Sequence, residues 1–235
     1  MKNKFIAGLF VFALGQTAFA TQYKVEIQNL TNSAYITPLL VAAHPANVSL
    51  FTVGEASSVN LQAMAEGGDI TGLAQDVALT GGRSVLNPAA GLLAPGKKTV
   101  ADLGFVGQRN SRLSIVAMVV PTNDAFIGLR NLPLPRFPGV YSYDLKVYDA
   151  GTEANDEVRG SGVPGQAGMA VPPPTSPEVG TGGTGLANVT AEGFVHVHRG
   201  VTGDLDFTGG PSDLDAANAA WPSDAIRVTI TVSHY

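Results

Sequence analysis

Cysteine is absent from all 235 residues, and this excludes disulfides, thiolate metal sites, a thiol nucleophile and a lipid-modified N-terminal cysteine. Charge is also scarce: Asp, Glu, Lys and Arg make up 14% of the chain, with 19 acids against 14 bases and a net charge of −5. Composition therefore lacks the basic excess of a nucleic-acid binder, and no nucleic acid is expected as a partner. Long hydrophobic runs are missing as well. The best, Phe5 to Leu14, is too short for a bilayer of roughly 30 Å, and no later segment approaches about 18 uninterrupted apolar residues, so no transmembrane segment is expected. Three catalytic signatures are missing: a Gly-x-Ser-x-Gly elbow, a glycine-rich phosphate loop after a strand and a His-Glu-x-x-His pair. No catalytic residue is identified, and the chain is not expected to be an enzyme. A secreted hydrolase built from scattered Asp and His is the catalytic alternative.

What is present begins with Lys2 and Lys4, the apolar run, and Ala18-Phe19-Ala20, the pattern of a cleavable signal peptide over residues 1–20. The exported chain then starts near Thr21 and resides outside the cell or in a periplasm. Loss of the two lysines takes 14 bases against 19 acids to 12 against 19, a net charge of −7. A 45% hydrophobic content with 28 glycines and 15 prolines suits one loop-rich β domain over residues 21–235.

Alternation supplies the strands. Tyr23, Val25 and Ile27 alternate with Lys24, Glu26 and Gln28 in an opening strand, Tyr23–Leu30. Ile36–Ala43 contains Pro38 and reads as an edge strand. Val59–Glu66 and Ile70–Leu79, rich in alanine and leucine, read as two short helices capped by serine or aspartate and ended by glycine. Strands resume at Lys97–Phe105, Arg112–Val120, Ala125–Asn131 and Tyr141–Tyr148, and later at Gly193–Arg199 and Ile226–Val232, with a short helix expected from Ser212-Asp213. Residues 159–186, with Gly160-Ser-Gly, Val171-Pro-Pro-Pro174 and Gly180-Thr-Gly-Gly-Thr-Gly185, have almost no periodicity and are expected to form a long mobile loop. The pattern implies an all-β, two-sheet antiparallel sandwich.

Two acidic loops stand directly after strands: Pro-Thr-Asn-Asp124 after Leu113–Val120, and Asp149-Ala-Gly-Thr-Glu153 after Tyr141–Tyr148. With Ala125–Leu129 between them, an up-down-up meander points its first and third strands the same way. Asp124, Asp149 and Glu153 then gather at one pole, as hard oxygen ligands suited to Ca2+. An ordinary hairpin with Asp124 capping a turn is the competing account, but it leaves like charges to be neutralised.

The wording Val120-Pro-Thr-Asn-Asp124-Ala-Phe-Ile-Gly128-Leu, the strand ending at Tyr148, and Asp149-Ala-Gly-Thr-Glu153 resemble the spondin N-terminal domain. Tyr23–Leu30, Val59–Leu79 and Ala225–Val232 agree more loosely. The resemblance implies an eight-stranded antiparallel β-sandwich, similar to calcium-dependent lipid-binding domains, with a calcium ion between loops at one end. Carried over, its ligands fall on Asp124, Asp149 and Glu153, the last replacing the usual aspartate and reaching one methylene further.

His196 and His198 share a strand face at a spacing that suits zinc or copper, but two ligands do not complete a site. Asp156 and Glu157 lie near the acidic loops and read as solvated. Asp204 reads as a turn residue, and Asp213 and Asp215 as residues at a helix start. The expected function is that of a secreted, calcium-binding extracellular binding or adhesion module, monomeric, whose ligand is a carbohydrate, a protein or a membrane surface. A structural subunit polymerising through Ile36–Ala43 or Lys97–Leu103 is the rival of another class.

Overall fold

The computed structural model describes residues 21–186, 190–219, 221 and 224–234. The expected signal peptide lies outside them. Ten strands form in chain order: β1 Thr21–Asn29, β2 Tyr35–Ile36, β3 Leu40–His44, β4 Arg83–Leu86, β5 Lys98–Phe105, β6 Arg112–Val120, β7 Ala125–Pro133, β8 Gly139–Asp149, β9 His196–Val197 and β10 Ile226–His234. Two helices, α1 Val59–Gly67 and α2 Thr71–Leu79, stand between β3 and β4. No helix among the described residues is long and apolar enough to cross a membrane.

All strand pairings are antiparallel, and eight strands follow the order β4-β3-β6-β7-β8-β10-β1-β5, with β2 against β6 and β9 against β8. The sheet bends round on itself until its ends approach, Arg83 of β4 lying over Gly104 of β5. This bent sheet is the all-β antiparallel sandwich expected from the sequence.

Alternating residues face inward and make the main core: Val25 and Ile27 from β1, Ile115 and Ala117 from β6, Ile127 from β7, Leu145 and Val147 from β8, Val228 and Ile230 from β10. Their neighbours on β3, β6 and β7, Leu40, Val116, Met118 and Phe126, face outward but are covered by Leu61, Met64, Leu73 and Val77 of the helices. β3, β6 and the first half of β7, Ala125 to Gly128, are thus buried on both faces. The outer faces of β1 and β10 stay wet, with Lys24 and Arg227 exposed.

Several elements differ from the sequence reading. Pro38 breaks Ile36–Ala43 into β2 and β3, and β3 is not an edge, because it lies between β4 and β6. The strand that shields it, β4, gave no sequence signal: its four residues all retain some exposure, so no face alternates cleanly. Lys98–Phe105 does end the sheet order. The strand expected over Gly193–Arg199 pairs only through His196 and Val197. The short helix expected at Ser212-Asp213 is replaced by turns and isolated bridges, Val179 with Leu214 and Asp204 with Asp215. The reason is local: Arg159 N and Gly183 N both donate to the Asp213 carboxylate, at 2.7 and 2.8 Å, so it binds other loops rather than a helix start.

Residues 159–186 carry a 3-10 turn, Ser176–Glu178, and a small core in which Met169 and Val179 meet Leu214. The Arg159 guanidinium donates to the carbonyls of Ser176, Val179 and Gly180 at 3.1, 2.7 and 3.0 Å.

Candidate metal centre at the acidic pole

β6, β7 and β8 are successive neighbours, and the register pairs Ala125 with Asp149. That pairing puts the Pro121–Asp124 loop beside the chain leaving β8, where Ala150 N donates to the Asp124 carbonyl at 3.2 Å. Thr122 pins the first loop, its hydroxyl donating to the Val119 carbonyl at 2.6 Å and accepting from Ala125 N at 3.2 Å. Behind the site, Phe51, Phe126 and Tyr148 form an aromatic cluster with ring centroids 5.0–5.7 Å apart. Gly128 admits this cluster, since a Cβ there would stand 2.7 Å from the Phe51 ring and 2.8 Å from Tyr148. A Cβ on Gly151 would strike the backbone of Phe194, so the β8 exit loop lies flush against the 190–196 segment.

Asp124 is fully buried. Its Oδ2 accepts from Thr152 N at 2.8 Å, Glu153 N at 3.0 Å and the Thr152 hydroxyl at 3.2 Å. Its Oδ1 has no partner among the described residues. Burial first, and the neighbouring Asp149 second, push its pKa up to about 8. Asp149, also buried, accepts from Gly151 N on Oδ1 and from Asn155 Nδ2 on Oδ2, both at 2.7 Å. Burial raises its pKa, Asn155 and Gly151 oppose that, Glu192 adds to it and His196 opposes it.

Glu153 is turned differently. Its backbone N–H serves Asp124, whereas its carboxylate accepts from Asn123 Nδ2 at 3.1 Å and from Gly168 N. Burial, with Glu66 and Asp156 nearby, raises it to about 7 despite those donors. Asp156 also accepts from Asn123 Nδ2, at 2.8 Å, and Glu157 N donates to Asn123 Oδ1 at 3.2 Å, so Asn123 holds the acidic loops together.

A residue that sequence reasoning did not single out completes the pole. Glu192 comes from the 190–196 segment, and its Oε2 is buried without a partner among the described residues. Asp149, Glu192 and His196 each offer one ligand atom within 4.8 Å of the others, a group that could hold a metal ion. His196 Nδ1 lies 3.8 Å from Asp149 Oδ1. His198 goes elsewhere: its ring packs 5.8 Å from Trp221, Gly200 N donates to its Nδ1 at 2.9 Å, and burial pushes its pKa down to about 4. The sequence signal for Glu192 was slight, a single acid in Ala-Glu-Gly some forty residues from Asp149, brought there by the two-residue β9 pairing.

One serine–histidine pair also escaped the sequence reading. Ser114 Oγ lies 2.8 Å from His44 Nε2, and His44 Nδ1 lies 2.9 Å from the Pro45 carbonyl. Both residues are sealed from solvent, at 1% and 0% exposure, so this pair ties β3 to β6 with no route for a substrate.

The Spondin_N family model matches residues 10–164, two thirds of the chain. The chain belongs to the spondin N-terminal domain family. Human and rat Spondin-2 are each 31% identical to it over 147 residues, covering 59% of this chain and 43% of theirs. The chain thus spans less than half the length of the curated relatives it matches. The spondin match includes Asp124, Asp149 and Glu153 but stops short of Glu192 and His196.

Proposed function

We propose that this spondin-family protein is an exported, calcium-binding module for extracellular binding or adhesion, in which the ion orders the loops at the acidic pole and performs no chemistry. The observation that carries the reading is the pair of buried carboxylate oxygens without partners among the described residues, Asp124 Oδ1 and Glu192 Oε2, with Asp149 close enough to Asp124 and to Glu192 to feel the charge of each. A buried acceptor with no donor costs about 1–3 kcal/mol, more when charged, and a cation removes that cost at both atoms. The donor set is mostly carboxylate oxygen, which favours calcium over a transition metal, with backbone carbonyls and water to fill the six to eight positions that calcium takes. Asp124, Asp149 and Glu192 would hold the ion directly. Glu153 would act chiefly through its backbone N–H, which fixes Asp124, and His196 would flank Asp149.

Calorimetric titration of the metal-free protein with calcium tests this. One site with a dissociation constant on the order of 10⁻⁴–10⁻³ M, the range of extracellular modules, is expected. Asp149→Asn should remove the binding heat while the far-UV circular dichroism spectrum stays unchanged. Equal heats for parent and variant would refute the assignment.

A further inference from the structure

The opposite pole has the reverse charge. The strand registers bring together residues 21–23, 43–46, 80–84, 103–112, 132–141 and 231–234: Thr21 pairs with His234, Gln22 with Phe105, Ala43 with Arg83, His44 with Arg112, Arg112 with Pro133 and Gly139 with Val232. None of these stretches contains an Asp or Glu, yet they hold four of the chain's eight arginines, Arg83, Arg109, Arg112 and Arg136. Arg83, Arg109 and Arg136 are exposed, and none of the four guanidiniums is hydrogen-bonded or ion-paired among the described residues. The net charge of −5 conceals this pole, because the acids are concentrated elsewhere.

A cavity of about 430 Å³ opens among these arginines, between the start of β1, the β5–β6 loop and the residues after β7. Its wall includes the guanidinium-bearing Arg136, the neutral amides of Gln108 and of Asn110, the latter anchored through Nδ2 to the Gly81 carbonyl, and the hydroxyl of Ser111, with no carboxylate among the described residues. Beside it Phe137 stands 76% exposed. Cationic forks, neutral amide and hydroxyl groups, and one flat apolar ring are the equipment for a sugar that carries an acidic substituent: the forks take the anion, the amides take hydroxyls and the ring takes the apolar face. A membrane surface would call for a broader apolar face than Phe105, Phe137 and Val140 provide. The amides lining the cavity have no counterpart in simple attraction to phosphates.

We propose that this basic pole binds an acidic polysaccharide, with one charged sugar unit seated in the cavity between Arg136 and the β5–β6 loop and neighbouring anions over Arg109 and Arg83. This extends the reading as a binding module and does not involve the acidic pole.

The test compares retention on dextran sulfate and on uncharged dextran, the same sugar backbone with and without anionic groups, with calcium present in every arm. The protein should be retained on dextran sulfate only, and the affinity should fall steeply as salt rises from roughly 50 to 300 mM. The double variant R109Q/R136Q should bind at least tenfold more weakly, whereas R109K/R136K should stay within about threefold of the parent, which separates charge from folding. Unchanged affinity in the glutamine pair, equal retention on both matrices, or capture only by phosphatidylglycerol vesicles or by DNA would overturn the proposal.

Discussion

Two clusters of buried carboxylates in this protein differ in whether their hydrogen bonding is complete. Around Glu157 and Asp213 every oxygen has a donor. Glu157 accepts from Thr202 N, Gly203 N and the Ser212 hydroxyl at 2.7, 2.8 and 2.8 Å, and Asp213 accepts from Arg159 N and Gly183 N. Nearby, Asp204 takes Asp206 N and Ser212 N at 2.8 and 2.9 Å. Around Asp124 and Asp149 the donors stop short, leaving Asp124 Oδ1 and Glu192 Oε2 unpaired among the described residues. Both clusters are loop acids of an acidic chain, and composition does not distinguish them. What separates them is the count of N–H and O–H groups aimed at each oxygen: the first cluster staples its loops with the chain alone, and the second leaves acceptors that the proposed cation would complete.

The largest expected effect breaks that comparison at the acidic pole. At calcium one hundred times its dissociation constant, the proposed binding would stabilise the fold by about 2.7 kcal/mol. For a domain of this size that raises the melting temperature by roughly 5–11 °C. Asp124→Asn should remove the calcium-dependent rise and leave a melting temperature that chelator no longer changes. A smaller effect belongs to the stapled cluster. Asp213→Asn sets an amide N–H against Arg159 N–H or Gly183 N–H and leaves one unpaired, at a cost of about 1–3 kcal/mol. Its melting temperature should fall equally with and without calcium. A calcium-dependent loss in Asp213→Asn would erase the distinction between the clusters.

Proton linkage sharpens it further. Asp124 has a folded pKa raised to about 8 against an ordinary value of about 3.9, so across that window the metal-free folded state holds a proton that the unfolded state releases. The contribution is fully present below the lower value and lost as pH rises through the upper one, so metal-free stability should decline from pH 5 to pH 8. Glu153, raised to about 7, acts in the same direction. Calcium held by Asp124 would displace its proton, so the calcium affinity should increase over the same range. Thermal melts at several pH values, with calcium and with chelator, should therefore diverge as pH rises, and parallel curves would contradict the linkage.

Much of the frame was legible because half-buried strands announce themselves by alternation, as Tyr141, Tyr143, Leu145 and Val147 do on β8. β3 was misjudged because Pro38 lies beside it and because a strand covered on both faces has no alternation to read. The neighbourhood of Asp124 and Asp149 follows from meander geometry, which depends on strand direction alone. The direction of the Glu153 carboxylate does not, since a loop places backbone and side chain independently, and here Gly168 and Asn123 draw the carboxylate away. The basic pole was hidden for a related reason: its arginines come from β4, the β5–β6 loop, β6 and the β7–β8 connection, and only the register unites them.

Glu192 gives the smallest and most discriminating test. It lies beyond the part of the chain that matches the spondin family model, on a segment that pairs with β8 at Tyr148–Val197 and Asp149–His196 and is held further by His198 N on the Val147 carbonyl and Gly193 N on the Gly151 carbonyl. If its unpaired oxygen serves the same ion as Asp124, Glu192→Gln should weaken calcium binding roughly tenfold, about 1.4 kcal/mol, without abolishing it. It should also reduce the like-charge pressure on Asp149, so the metal-free form should be slightly more stable than the parent. Weaker binding together with a firmer metal-free fold is the signature of a ligand gathered among like charges. A staple such as Glu157 should behave in the opposite way, with Glu157→Gln lowering stability and leaving calcium affinity unchanged.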